Sequence, residues 1–199
     1  MPRGVENNER LRQASDQKIR AAAVKVFADK GLAGASIQQI ASEAGISLGL
    51  MYHHYGSKEE LFISLVEYAA QGLGHIADQL ASDTDPKQAI EAVALDIYQD
   101  MTVREESLHL MGLIVQGILS GNETITEKIG RDNRHVLDAT ADCIRRGQAL
   151  GEFASGDPDE LATYFFASIQ GLILMRLYNR DVPMPSPSMM TAFLSTGVR

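Results

Sequence analysis

The chain has 199 residues, of which 45% are hydrophobic, enough for a buried core in one or two domains, and a net charge of −8. That acidity excludes a nucleic-acid binder held by bulk positive charge, and a lone cysteine, Cys143, excludes an intrachain disulfide and fits a reducing cytoplasm. Residues 1–12 are polar, without the apolar stretch of a signal peptide. The most apolar run, residues 172–175, is bounded by Gln170 and Arg176, so no membrane span is expected.

In chain order, residues 1–14 read as a flexible arm. Residues 18–31, KIRAAAVKVFADKG, put Ile19, Ala22, Ala23, Val26 and Phe27 on one helical face, and Gly31 offers a left-handed stop. Ser36 is the N-cap of a second helix whose apolar face is Ile37, Ile40, Ala41 and Ala44. Gly45 permits a tight turn and Ile46 supplies an apolar plug. Ser47 caps a third helix, residues 48–55, which carries Tyr52, His53 and His54. So many polar rings on one short helix need a partner surface, as in a helix-turn-helix. Ser57-Lys58-Glu59-Glu60 is a capping box that opens a helix through Leu61, Phe62, Leu65 and Val66 to about residue 80.

The remainder keeps helical spacing and shows no strand alternation, so the expected fold class is all-α, with a three-helix head over residues 15–60 and a helical body over 61–199. Asp85-Pro86-Lys87-Gln88 starts a helix held in register by Ile90, Ala94, Ile97 and Met101. A charged break at residues 104–106 precedes a helix over 107–120, which Gly121-Asn122 ends. Thr124-Ile125-Thr126-Glu127 reads as the capping box of a long helix through Ile129, Val136, Cys143 and Ile144 to about residue 150. A loop follows, then Asp157 caps a helix that is apolar on nearly every bearing as far as Tyr178. A link containing Pro183, Pro185 and Pro187 leads to a short terminal helix. A helix apolar all round must be covered all round, either as the central helix of a monomer or with one face against a twofold copy. The second arrangement is expected, with Tyr164, Ser168, Gly171, Leu172, Met175, Tyr178 and Phe193 at the dimer interface.

Over residues 15–66, an alanine-rich helix ending in FADKG and then S-I-x-x-I-A-x-x-A-G-I-S-x-G-x-M-Y-H-H-Y-x-S-K-E-E-L-F resembles the TetR/AcrR family of one-component transcriptional regulators. The resemblance implies an N-terminal helix-turn-helix head and a C-terminal ligand-binding and dimerisation domain whose last two long helices pair in a homodimer. It also implies a palindromic operator in double-stranded DNA, repression more often than activation, and release by a small, largely apolar effector. By resemblance Ser36, Tyr52, His53 and Lys58 contact phosphates, while the recognition helix opening at Ser47 presents Leu48, Gly49 and Leu50 to base edges. Gln38 and Gln39 are supplementary contacts. Tyrosine, imidazole and ammonium groups donate to phosphate oxygens. Leu48 and Leu50 carry no hydrogen-bonding group and are suited to thymine methyls, whereas many relatives carry lysine, arginine or proline where Leu48 stands.

Charge divides along the chain in the same sense. Residues 1–60 hold eight Lys/Arg against seven Asp/Glu, a balance of +1, so the acidity lies in the body. There Met101, Leu108, Met111, Val115, Phe165, Phe166, Ile169 and Met175 are the expected lining of an effector pocket, with His109, Gln116 or Gln170 orienting a polar group; the same residues also describe an ordinary packed core. Tyr55 is read as core, and so is Cys143. His53 and His54 lie about 100° apart on a helix and cannot share a metal; His75, His109 and His135 are isolated. No metal, cofactor or catalytic residue is expected, because no nucleophile, base and oxyanion donor converge. A constitutive helix-turn-helix protein without an effector, and a small-molecule enzyme, are the alternatives.

Overall fold

A computed structural model describes residues 3–196. Three helices build the head: α1 (Arg3–Gly34), α2 (Ile37–Ala44) and α3 (Leu48–His54). α1 begins at Arg3, where a flexible arm over residues 1–14 was expected; from Arg3 onward the segment has no helix breaker apart from Gly4, and Ser15 folds its hydroxyl back onto the Leu11 carbonyl at 2.9 Å. Gly31 breaks α1 with φ 65 and ψ 174, a conformation that glycine adopts without strain, and a short helical turn continues to Gly34. Ser36 and Gln39 form a reciprocal capping box at the start of α2, and Gly45 ends it in the left-handed region.

α4 (Lys58–Ala81) leads from the head into the body, which consists of α5 (Pro86–Thr102), α6 (Glu105–Leu119), α7 (Glu123–Ala149) and α8 (Pro158–Tyr178), closed by the short α9 (Pro187–Met190) and a 3-10 turn. Two boundaries differ from the sequence expectation. α6 takes in Glu105 and Glu106, and α7 starts one residue before the Thr124 box, because Asn122, released by Gly121 at φ 70, accepts the Ile125 N–H at 3.1 Å and is the actual cap.

Two hydrophobic cores form. The head core contains Ile19, Ala23 and Phe27 of α1, Ile37, Ile40 and Ala41 of α2, Met51 and Tyr55, but it does not end at residue 60. Leu61, Phe62, Leu65 and Val66 of α4 belong to it, as do Leu113 of α6 and Ile125 and Ile129 of α7. Phe27 and Phe62 meet edge to face with centroids 5.2 Å apart. Gly117 lets α6 approach, since a Cβ there would lie 3.1 Å from Ile125 and 3.2 Å from Val66. The body core takes Ala77 and Leu80 from the far end of α4, with Ile90, Ile97, Val136, Ile144, Phe165, Phe166 and Ile169. Cys143 is wholly buried there, and burial pushes its thiol up, as a core role requires.

By length and composition alone α8 could cross a bilayer, which the sequence did not lead us to expect. One of its faces, Ala162, Phe165, Phe166 and Ile169, is instead buried in the body core. Arg176 near its end donates to the carbonyls of Met101 and Val182, each at 3.1 Å. The opposite face is exposed and apolar, with Tyr164, Gly171, Leu174, Met175 and Tyr178 on successive turns. Leu174 also lies on this exposed face, which was not expected, because a helix apolar on all sides does not reveal from sequence which side its own core takes.

The C-terminal segment returns to the body through Phe153, which bridges to Ser195, and the Ala154 N–H donates to the Leu194 carbonyl at 2.8 Å. Gly147 of α7 makes room for that ring: a Cβ there would lie 2.2 Å from Phe153. Gly147→Ala should therefore cost about 2 kcal/mol of unfolding free energy in urea denaturation; an unchanged midpoint would mean that Phe153 is not seated as described.

Candidate nucleic-acid interface

The helix-turn-helix is rigidified from its caps upward. The Ser36 hydroxyl accepts the Gln39 N–H at 3.2 Å while Gln39 Oε1 accepts the Ser36 N–H, also at 3.2 Å. Ser47 accepts the Leu50 N–H at 3.2 Å and Ser57 accepts the Glu60 N–H at 3.1 Å. These bonds satisfy amides that a helix start leaves free, and each of the three short connections thus ends at a fixed angle. Lys25 of α1 pairs with Glu43 of α2 at 3.0 Å across the surface, a modest tie.

α3 divides cleanly. Met51 is wholly buried and Tyr55, just past the helix, nearly so. Tyr55 packs as expected, and its hydroxyl donates to Asp16 Oδ1 at 2.6 Å. Asp16 also accepts from Arg20 Nε at 2.8 Å, and the His54 ring faces it with Nδ1 3.9 Å away. Burial pushes the Tyr55 phenol up, and donation to the Asp16 carboxylate pushes it further in the same direction. Sequence reasoning missed Asp16. The only trace was its i, i+4 spacing to Arg20, which also marks any solvated helix pair.

On the outer side of α3, Leu48, Gly49, Leu50, Tyr52 and His53 are all exposed, as are Gln38 and Gln39 on α2 and Ser47 between the helices. Tyr52, 49% exposed, points away from the core that Met51 fills. Lys58, expected at a phosphate, is engaged within the chain here. Its ammonium donates to the carbonyls of Leu32 at 2.9 Å and Ala35 at 3.0 Å, closing the end of α1 and the α1–α2 connection from a half-buried position.

The residues expected to line an effector pocket are spread over α5, α6 and α8, some in the body core and some facing elsewhere. Met101, Leu108, Phe165, Phe166 and Ile169 are buried, and Met111 and Val115 half-buried, in close packing. Gly112 allows α6 and α8 to touch, for a Cβ there would lie 3.0 Å from Leu177. Gln170 and Met175 face outward on α8, and His109 Nε2 accepts from the Arg180 guanidinium at 2.8 Å. Gln116 reaches out of the body altogether. Its amide donates to the Phe27 carbonyl of α1 at 3.3 Å, and its Oε1 is buried without a partner close to Gly31. Among the described residues two clefts stand out elsewhere. One separates α4 from α7 at Ile63, Val66, Glu67 and Lys128; the other lies beside Lys87, Glu91, Glu152 and Thr196.

Residues 19–65 match the sequence profile of the bacterial regulatory proteins of the tetR family. Over 162 residues the chain is 37% identical to the HTH-type transcriptional repressor NicS of Pseudomonas putida, covering 80% of this chain and 74% of the repressor. Over 169 residues it is 32% identical to the HTH-type transcriptional regulator LmrA of Bacillus subtilis, covering 82% and 86% of the two chains. Among solved structures, SmeT in complex with triclosan superposes with a TM-score of 0.75 at 23% identity, covering 94% of each chain, which shows the shared fold. PfmR of Thermus thermophilus, a TetR-family transcriptional regulator, gives a TM-score of 0.71 at 25% identity over 88% of this chain and 93% of its own.

The Tyr55–Asp16 bond generates a signed pH prediction. A phenol whose pKa is raised on folding contributes stability that is complete below the ordinary tyrosine value of 10.0 and is lost as pH rises through the raised one. Tyr55→Phe should therefore be about 1 kcal/mol less stable than the parent at neutral pH, and the two should converge in strongly alkaline buffer, as urea unfolding at a series of pH values will report.

Proposed function

This chain belongs to the tetR family of bacterial regulatory proteins, and from that premise we propose that it is a homodimeric transcriptional repressor that binds a palindromic operator and releases it when a small, largely apolar effector binds. The observation that carries this reading is the division of α3. Every side chain the head core needs lies on one side, and Leu48, Leu50, Tyr52 and His53 stand in solvent on the other, beside a glycine. Tyr52 and His53 supply donors for phosphate oxygens, assisted by the Ser36 hydroxyl and by Gln38 and Gln39, while the first turn of α3 meets the base edges. Lys58 acts from behind by fixing the α1–α2 connection.

Dimerisation is supported by the exposed stripe on α8. Tyr164 is 60% and Tyr178 73% exposed, with Ser168, Gly171, Leu174 and Met175 between them and Phe193 against Tyr164 at 5.0 Å. A stripe of that length on a folded chain is costly to leave in water, and a twofold copy covers it. Two heads then face two half-sites. The effector arm draws on the family and on SmeT, a structure of which contains triclosan. In this chain a ligand has to part α6 from α8 where Leu177 sits over Gly112, and Gln116 lies on the same helix as that contact, reaching to α1. The cytoplasm, where such a regulator meets DNA, also keeps the buried Cys143 reduced.

Selection from a random duplex pool, followed by titration at two salt concentrations, tests the reading: a twofold-symmetric consensus should emerge, and its affinity should fall with salt. Tyr52→Ala should weaken that duplex about tenfold with unchanged helix content, and an effector should both release the duplex and raise the melting temperature. Absence of enrichment would sink the specific regulator; enrichment without any responsive compound would favour the constitutive helix-turn-helix protein. Leu174→Glu should halve the mass in sedimentation, since the charge has to be buried at the interface; a mass unaffected by it would move the interface off α8.

A further inference from the structure

We propose that the head reads its operator through the 5-methyl groups of thymines, with Leu48 and Leu50 as the contacting side chains and Gly49 as the point where the α3 backbone lies against the base pairs. The inference rests on the reading of the chain as a sequence-specific DNA binder and names the chemistry of its readout. At 100° per residue, Gly49 occupies the centre of the outward face of α3, with His53 one turn behind it, and the two leucines straddle it on either side.

Three observations converge there. The leucines are 38% and 36% exposed although the head core closes without them around Ile37, Ile40, Met51 and Tyr55. Of the polar groups beside them, Ser47 accepts the Leu50 N–H, Gln39 Oε1 accepts the Ser36 N–H and Glu43 pairs with Lys25, while Tyr52 and His53 are the donors assigned to phosphates. Gly49 is not required by the fold, because a Cβ there would meet nothing within 4 Å and its φ is ordinary. Helix propensity alone favours alanine at such a place, so the missing side chain answers to something outside the chain. Leu48, Gly49 and Leu50 offer no side-chain donor and no side-chain acceptor, and for them the one complementary feature among the base edges is the thymine C5-methyl group.

The test uses the full-length protein and the duplex enriched from the random pool, with each thymidine replaced in turn by deoxyuridine, which removes the methyl and leaves every hydrogen-bonding group. At contacted positions affinity should fall about fourfold for one methyl and about fifteenfold when both half-sites are substituted. Leu48→Ala or Leu50→Ala should abolish the penalty at the position that leucine touches. Gly49→Ala should bind both duplexes more weakly while melting at the same temperature or higher. Equal binding of thymine and uracil duplexes at every position overturns methyl readout and leaves the regulator standing, as does a uracil penalty that persists unchanged in both leucine variants. If the pool yields no enriched duplex, the DNA-binding reading itself fails and the inference falls with it.

Discussion

Everything in this molecule hangs on α4 being in two cores at once. Leu61, Phe62, Leu65 and Val66 are buried in the head, and Ala77 and Leu80 in the body, on one uninterrupted helix of 24 residues. Its ends are pinned by different partners. Ser57 caps the first turn, while Arg146 of α7 donates to the carbonyls of Leu80 at 2.6 Å and Ser82 at 3.0 Å at the last. Because Leu113 of α6 and Ile125 and Ile129 of α7 complete the head core, the head cannot shed its contacts with the body without exposing its own interior. The orientation of the reading helix is a property of the whole chain.

Within that frame the interface is assembled by short-range chemistry. Capping serines set the three helix starts, the Asp16 carboxylate gathers Tyr55, Arg20 and His54 behind α3, and Lys58 closes the connection before α2. With a balance of only +1 over residues 1–60, the head has little long-range attraction for a polyanion, so close contacts would have to supply the affinity for DNA.

The head was almost fully legible in the sequence. Its caps, its glycine turns and its apolar spacing are local signals, and each determines a local geometry. What lay hidden is tertiary. Nothing around Lys58 says that its ammonium turns back to Leu32 and Ala35 instead of outward, and nothing around Gln116 says that it leaves the body for α1. Of the body residues expected to line a cavity, Met101, Phe165, Phe166 and Ile169 belong to its core, but periodicity counts apolar positions and is silent on the space between them. Gly112, which lets Leu177 come close, carries no message until the helix across from it is known. On α8 the uniform apolarity concealed the choice between inner and outer face, and so left out Leu174.

A straight helix anchored at both ends is also a lever. With a rise of about 1.5 Å per residue, the 24 residues of α4 span about 36 Å, so a tilt of only about 5° about one end carries the other through about 3 Å. That is close to the axial step between neighbouring base pairs, about 3.4 Å. In a twofold pair of such chains the spacing between the two heads would therefore be set with a gain. If packing beside Ala77 or Leu80 changed enough to tilt the helix by that angle, the shift at the head would be comparable to one position on the duplex.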